Sequence, residues 1–370
     1  MGNTKKRFLI SGGGTGGHIF PAIAIANRIK REVPDAEILF IGAEDKMEMR
    51  RVPDAGYKIE GLHIYGISRD LSPRGIWKNL KLPFVLVKAQ RRAKQIIRAF
   101  KPDVAIGVGG FASGPALRAA QKLGIPTLIQ EQNSYPGVTN KMLSSRVCKI
   151  CVAYDGLEKY FPKEKIVKTG NPVRDEILHI ERKNQEAYRS FDLSPDKKTL
   201  LVVGGSLGAK TINRTLTENM DKLKAMQIQV LWQTGEAYYK QNQMELSMLQ
   251  NDQIRIVPFI KNMNDAYGIA DIIISRAGAL AIAELSILGT PTILVPFPYA
   301  AEDHQTKNAM ALVDKGAALM VKDSESGEKL IPTLEGLLND PQKCEEMAQN
   351  MAQFALPQAI DAIVENILNL

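Results

Sequence analysis

The sequence predicts an α/β protein of two similar doubly wound domains facing one another, and three observations predict it. Apolar runs of strand length recur, each followed by a glycine-rich turn and then by residues at helical spacing. That is the pattern of parallel strands joined by crossover helices. One such unit occurs twice. Asp103-Val-Ala-Ile-Gly-Val-Gly-Gly-Phe-Ala-Ser-Gly-Pro115 leads through a helix to Gly124-Ile-Pro126, and Asp271-Ile-Ile-Ile-Ser-Arg-Ala-Gly-Ala279 leads through a helix to Gly289-Thr-Pro291. The Asp-to-Pro separations are 23 and 20 residues, so both halves follow one strand–turn–helix–strand plan. Finally, 370 residues with 45% hydrophobic content suffice for two cores of ordinary size.

From the start, Arg7 to Ser11 reads as a strand. It runs into Gly12-Gly-Gly-Thr-Gly-Gly-His18 and a helix from about Phe20 to Arg31, with Pro21 in its first turn. Glycines let a backbone approach a ligand closely, and a helix N-terminus adds positive potential. The next strand is Ile38 to Gly42. The spacing is not the dinucleotide G-x-G-x-x-G, so a dinucleotide site is the weaker reading of this loop. His18 closes the loop at the helix entry. It is either structural or a site residue, and an unperturbed pKa of about 6.5 would suit a general base.

Residues 66–101 interleave Ile76, Trp77, Leu80, Leu82, Phe84, Val85, Leu86 and Val87 with Arg69, Arg74, Lys78, Lys81, Lys88, Arg91, Arg92 and Lys94. This mixture suits an interfacial membrane contact or a core helix with a solvated basic face. Charge is divided unevenly along the chain. Residues 1–170 hold 29 Lys and Arg against 14 Asp and Glu, and the remainder 19 against 26. The basic half should meet something anionic: a lipid surface, a diphosphate or nucleic acid. Nucleic acid is the weakest of these, because no recognition motif accompanies the charge. The start has too short an apolar run for a signal peptide. No run approaches the roughly 18 apolar residues of a membrane span. The expected location is the cytosol or the cytosolic side of a membrane. Cys148, Cys151 and Cys344 make no disulfide framework. The Cys148/Cys151 spacing lacks a second pair, which favours reduced structural thiols over zinc.

Glu131-Gln-Asn133-Ser-Tyr-Pro136-Gly137 is a polar loop at a strand end. Gly170-Asn171-Pro172-Val173-Arg174 has the turn chemistry of a domain boundary, dividing the chain into residues 1–170 and 171–370. The second domain restarts with a strand from Thr199 to Val203. Gly204-Gly-Ser206-Leu-Gly208-Ala209 then makes a further phosphate-type turn before a helix near Lys210. Gln229 to Thr234 and Ile254 to Phe259 are further strands. Asp271 to Ser275 is a buried strand, Arg276 to Ala279 a tight turn, Leu280 to Leu288 a helix stopped at Gly289, and Thr292 to Pro296 the next strand. Glu284, Asp303, His304, Gln305 and Asn308 gather at the carboxyl edge, where such sheets bind ligands. An ordinary buried βαβ unit with a solvated acidic loop would read the same way. Helices follow about Pro332, and the last, Ala359 to Leu370, has apolar spacing that fits either domain.

Four signatures occur in order: GGGTGGH, GGFASGP, GGSLGA, and RAGALAIAE followed by EDHQTKNA, with EQNSYPG and GNPVR between them. Together they resemble, over essentially the whole chain, the MurG family of bacterial N-acetylglucosaminyltransferases (glycosyltransferase family 28) of peptidoglycan synthesis. The resemblance implies a GT-B fold, two Rossmann-like domains facing across a cleft. It implies transfer of GlcNAc from UDP-GlcNAc to the MurNAc 4-hydroxyl of undecaprenyl-diphosphate-linked MurNAc-pentapeptide (lipid I), giving lipid II with inversion. An anionic membrane surface and other cell-wall synthesis proteins are the implied partners. The implied location is the cytoplasmic face of the inner membrane, held peripherally.

Residue by residue, the resemblance implies that Thr15, Gly16 and Gly17 contact the donor sugar region and the acceptor diphosphate. Asn133 contacts sugar, and Arg174 and Ser206 the donor diphosphate. The Ile260 backbone reads uracil. Ala279, Leu280, Ala281, Ile282, Ala283 and Glu284 line the donor, with Glu284 on the ribose hydroxyls, and Gln305 contacts GlcNAc hydroxyls. Ala277 stands where many relatives have Ser, and His304 where some have Gln. The departing UDP needs charge stabilisation, which N–H groups, a helix N-terminus and Arg174 can supply. No acidic pair of the DxD type stands out, so no bound metal and no cofactor is expected. His18 is the candidate base. The alternatives are a related transferase with another lipid acceptor, a UDP-GlcNAc 2-epimerase, and a nucleotide-sugar binding protein without catalysis.

Overall fold

The computed structural model describes residues 5–66, 72–205 and 208–370. The chain divides into two compact units, Met1–Val173 with Gln358–Leu370, and Arg174–Pro357. In the first, β1 (Arg7–Ser11), β2 (Glu37–Ala43), β3 (Lys58–Leu62), β4 (Val104–Gly107), β5 (Thr127–Glu131), β6 (Lys149–Val152) and β7 (Ile166–Lys168) form one sheet in the order β3-β2-β1-β4-β5-β6-β7. In the second, β8 (Thr199–Val203), β9 (Gln229–Gln233), β10 (Ile254–Val257), β11 (Ile272–Ser275), β12 (Thr292–Leu294) and β13 (Leu319–Met320) take the order β10-β9-β8-β11-β12-β13. All the pairings are parallel. Helices cover both sheet faces, so central strands such as β4, β5, β8 and β9 are buried at every residue.

The internal repeat has a hydrogen-bonding reason. Asp103 and Asp271 each precede the strand beside the first strand of their sheet. Asp103 Oδ2 accepts from the Arg7 N–H and Asp271 Oδ2 from the Thr199 N–H, both at 2.7 Å. Their own N–H groups donate back to the carbonyls of Arg7 and Thr199, both at 2.8 Å. The same residue starts the same strand pair in both units.

Some boundaries differ from the sequence expectation. The Thr15 carbonyl accepts from the N–H groups of His18 and Ile19, at 3.1 and 3.2 Å. The helix therefore starts at Gly16 and runs to Glu32, and Pro21 lies in its second turn rather than its first. β12 stops at Leu294, because the carbonyls of Val295 and Pro296 turn to Arg276 Nη1, at 3.0 and 3.1 Å. β10 stops at Val257, before Pro258, which has no N–H to continue the ladder.

Ile25 and Ile29 of the helix Gly16–Glu32 share one core with Ile360, Ile363, Val364 and Ile367 of the last helix, Ala359–Leu368. An Arg28–Asp361 ion pair at 2.8 Å lies beside it. Cys148 is exposed and Cys151 buried in that same core, where burial pushes its thiol up to about 12. On the opposite sheet face, Ala89, Ala93, Ile96 and Ile97 of the long helix Pro73–Phe100 are buried. The first half of that helix is different in kind. Ile76, Trp77, Leu80, Phe84, Leu86 and Val87 are exposed, Phe84 at 80%. Lys81 Nζ lies 4.9 Å from the Trp77 ring centroid and Lys78 Nζ 4.6 Å from that of Tyr65. Arg92 is held by Glu60 at 3.0 Å, and Arg69 lies outside the described residues. No helix is long and apolar enough to cross a membrane, among the described residues.

Trp232 of β9 is wholly buried in the core of the second unit. Its Nε1–H donates to Asn213 Oδ1 at 3.0 Å, and Asn213 Nδ2 donates to the Thr234 carbonyl at 2.8 Å. Trp232→Phe leaves Asn213 Oδ1 without this donor and a cavity beside it. Such a change costs about 1–3 kcal/mol, read as a lower urea midpoint with an unchanged slope.

Candidate active site

Each sheet reverses its strand order once, between β1 and β4 and between β8 and β11. At these switch points two turns leave side by side, and ligands of such sheets bind there. The register makes this concrete: Ser11 pairs with Gly107, and Val203 with Ser275. Hence GGGTGG neighbours GGFASG in one unit, and Gly204 and Gly205, which open the turn after β8, leave beside RAGALA in the other. The four glycine-rich turns form two pairs, each at the carboxyl edge of its own sheet.

In the first unit, the glycines admit a close backbone approach. Gly110 has φ +86°, and a Cβ there would lie 2.2 Å from the Gly13 carbonyl oxygen. His18, half-buried, lies with Nδ1 3.2 Å from that carbonyl and 3.3 Å from Thr15 Oγ1. A carbonyl only accepts, so the Gly13 contact calls for a proton on Nδ1, which in the neutral imidazole leaves the lone pair on Nε2. Thr15 and Gly17 are exposed and Gly16 half-buried at the start of the helix. Asn133 is positioned by the buried Glu131. Glu131 Oε1 accepts from Asn133 N–H and Nδ2, at 3.0 and 3.2 Å, and Oε2 from Gly137 N–H and Asn140 Nδ2, at 3.1 and 2.9 Å. Burial pushes the Glu131 carboxyl above its ordinary range, against these donors. Gln130, Gln132 and Asn171 form a buried amide network beneath the same loop.

In the second unit, the helix Ala279–Leu288 carries Ala279, Leu280, Ala281, Ile282, Ala283 and Glu284 along its first turns. Glu284, its side chain 16% exposed, lies between two partners. Arg174 Nε is 3.5 Å from Oε1, and the Tyr267 hydroxyl donates to Oε2 at 2.9 Å. Burial pushes the Glu284 carboxyl up, and Arg174 and Tyr267 pull it down less strongly. The Ile260 N–H donates to Gln233 Oε1 at 2.8 Å, while Gln233 Nε2 donates to the Gly205 carbonyl at 3.2 Å. One buried amide thus ties the loop after β10 to the turn after β8. Ser206 lies outside the described residues.

Arg276 is held rather than displayed. Its Nη1 donates to Asp323 Oδ1 at 2.5 Å, both side chains nearly buried, and Thr211 Oγ1 donates to Asp323 Oδ2 at 2.8 Å. Asp323 therefore ties the turn after β11 to the first turn of the helix Lys210–Glu218. Gln305 Oε1 accepts from the Phe297 N–H at 2.9 Å. Just before it, Glu302 and Asp303 both have φ +54°, two successive non-glycine residues in the left-handed region, where strain is stored. Lys307 Nζ on the Glu302 carbonyl and Thr306 Oγ1 on Asp303 Oδ1, at 2.8 and 2.6 Å, brace that turn. Asn308 is fully buried.

The sequence reading missed Gln233, Tyr267 and Asp323. Gln233 had a signal, a polar side chain at the carboxyl end of an apolar strand. Tyr267 and Asp323 had none, because their partners lie 17 and 47 residues away. Asp323→Ala unpairs a nearly buried guanidinium. Its expected effect is a Tm lower by several degrees, for a loss of about 1 kcal/mol or more.

Two Rossmann-like units, with phosphate-type turns paired at each switch point, define a protein of the GT-B class. The glycosyltransferase family 28 N-terminal domain matches residues 8–152, and the family 28 C-terminal domain residues 199–363. The UDP-N-acetylglucosamine–N-acetylmuramyl-(pentapeptide) pyrophosphoryl-undecaprenol N-acetylglucosamine transferase of Parabacteroides distasonis is 52% identical over 366 residues, 99% of this chain and 98% of that one. The protein of that name from Cytophaga hutchinsonii is 52% identical over 364 residues, 98% and 96% of the two chains. The crystal structure of Acinetobacter baumannii MurG superposes with TM-score 0.79 at 32% identity, covering 99% of this chain and 100% of that one. A UDP-GlcNAc 2-epimerase from Neisseria meningitidis reaches TM-score 0.67 at 16% identity over 99% and 100% of the chains, a likeness of fold alone. The chain belongs to glycosyltransferase family 28 and, within it, to the MurG family.

Proposed function

We propose that this hexosyltransferase moves GlcNAc from UDP-GlcNAc to the MurNAc 4-hydroxyl of lipid I, forming lipid II with inversion at the anomeric carbon. The observation that carries this reading is identity near 50% along the full chain with transferases named for that reaction. In the reaction, the 4-hydroxyl oxygen forms the new bond to C1 of GlcNAc. The bond from C1 to the β-phosphate oxygen breaks, and UDP leaves with the electron pair. His18 Nε2 takes the hydroxyl proton, its Nδ1–H anchored on Gly13. The glycine-rich loop at Thr15, Gly16 and Gly17 meets the acceptor diphosphate and the donor sugar. Asn133, oriented by Glu131, contacts sugar.

The donor is held by the second unit. Its diphosphate meets Arg174, Ser206 and the N–H groups that open the helix Ala279–Leu288. Glu284 accepts from the ribose hydroxyls and Gln305 meets GlcNAc. Uracil is read at the Ile260 carbonyl, since the N–H of that residue is taken by Gln233. The exposed apolar and cationic half of the helix Pro73–Phe100 rests on an anionic lipid surface at the cytoplasmic face of the membrane, which keeps the enzyme beside its lipid-linked acceptor.

The deciding experiment supplies purified protein with UDP-GlcNAc labelled in the sugar and a short-chain lipid I analogue. Transfer of label to lipid is expected. Bound but untransferred UDP-GlcNAc would point to another acceptor, and 2-epimerisation without acceptor to an isomerase. For the membrane contact, Lys78→Gln with Lys81→Gln weakens binding to anionic vesicles by about 1 kcal/mol per charge removed. Unaltered vesicle binding would place the contact elsewhere.

A further inference from the structure

Glu48 is a buried carboxylate with no part in the mechanism above. It is 1% exposed and comes from the helix Glu48–Asp54, which follows β2. Its Oε2 accepts from the Gly14 N–H at 2.9 Å, and its Oε1 from the Ala43 N–H at 3.0 Å. Two glycines make room for it. A Cβ on Gly13 would lie 2.1 Å from Oε1, and a Cβ on Gly42 would lie 2.6 Å from Cγ. The side chain is thus threaded between the glycine-rich loop and the end of β2, where another residue in place of either glycine collides with it.

The Gly14 N–H and the Gly13 carbonyl belong to one peptide group. Its N–H points to Glu48, and its oxygen to His18 Nδ1, 3.2 Å away. A carboxylate on the N–H side polarises the peptide and makes its oxygen a stronger acceptor. Holding a base through its other ring nitrogen is the general device that fixes tautomer and ring orientation. We propose that Glu48 is a positioning residue which, through the Gly13–Gly14 peptide, holds His18 in the Nδ1–H form with Nε2 as the basic atom. The catalytic consequence rests on the reading of His18 as the general base. The structural coupling does not.

Glu48→Gln tests it. One amide can accept only one of the two N–H groups and turns its own NH₂ toward the other. A loop displaced by about 1 Å costs roughly 100-fold in rate, so the expected fall in kcat is of that order, with UDP affinity unchanged. The second readout is independent of activity. The chain has four histidines, so 15N-labelled imidazole spectra resolve His18, assigned by its loss in His18→Ala. Wild type should give the Nδ1–H signature, and Glu48→Gln a mixture of tautomers.

Gly13→Ala is the companion variant. It leaves Glu48 in place but drives a methyl into the carboxylate, and should give the same spectral change and the same loss of kcat. If both variants fold and leave the His18 signature as in wild type, the proposal is overturned, whether or not kcat falls. If His18→Ala keeps its kcat while Glu48→Gln still alters the His18 spectrum, the base assignment fails and the coupling stands.

Discussion

Replacing His18 with alanine lowers kcat by about 10²- to 10⁴-fold, the usual worth of a positioned general base. The acceptor hydroxyl must lose its proton as the bond to C1 forms, and the loop presents one imidazole with its Nδ1 anchored on Gly13. UDP affinity should stay within about twofold, since a base acts in the transition state rather than on the bound nucleotide. Single-turnover transfer to a short-chain lipid I analogue separates the chemical step from product release. A correctly folded variant with near wild-type single-turnover rate would move the base to another residue.

The second large effect is on donor binding. Glu284→Gln keeps the shape of the side chain but removes its charge. Hydrogen bonds to a charged group contribute about 1.5–3 kcal/mol each, so the KM for UDP-GlcNAc should rise by roughly 10- to 100-fold while kcat changes little. The pH dependence sharpens the test. Burial raises the Glu284 carboxyl above the ordinary 4.5, and in the donor site proposed above the ionised form is the one that would accept from two ribose hydroxyls. The KM of the wild type should therefore climb as pH falls through that raised value, and the KM of Glu284→Gln should lack this limb. Stability runs the other way. The folded state binds this proton more tightly than the unfolded chain does. Its stabilising contribution is complete below 4.5 and is lost as pH rises through the folded value. A flat KM for wild type across the acid range would remove Glu284 from the ribose.

The sequence carried the two-domain α/β class, the glycine-rich turns and the repeat of the Asp103 unit at Asp271. These signals are local. A strand buried on both faces is an apolar run, a close approach demands glycine, and a proline or glycine ends an element within a few residues. The ordered motifs also carried the MurG family. Boundaries were less legible where a tertiary contact sets them, as at β12, whose last carbonyls turn to Arg276.

What only the folded chain decided is which polar side chains hold the turns in place. Glu48 reaches Gly14 across 34 residues, Gln233 reaches Gly205 across 28, and Asp323 reaches Arg276 across 47. No spacing rule links them, because they meet only once the strand order has brought their elements together. The last helix is a like case. Its apolar stripe suits many surfaces, and its place on the helix Gly16–Glu32 was settled by the core that Ile25, Ile29, Ile363 and Ile367 build together. Backbone geometry is written in neighbouring residues, whereas a buried polar group is defined by a partner that sequence distance conceals.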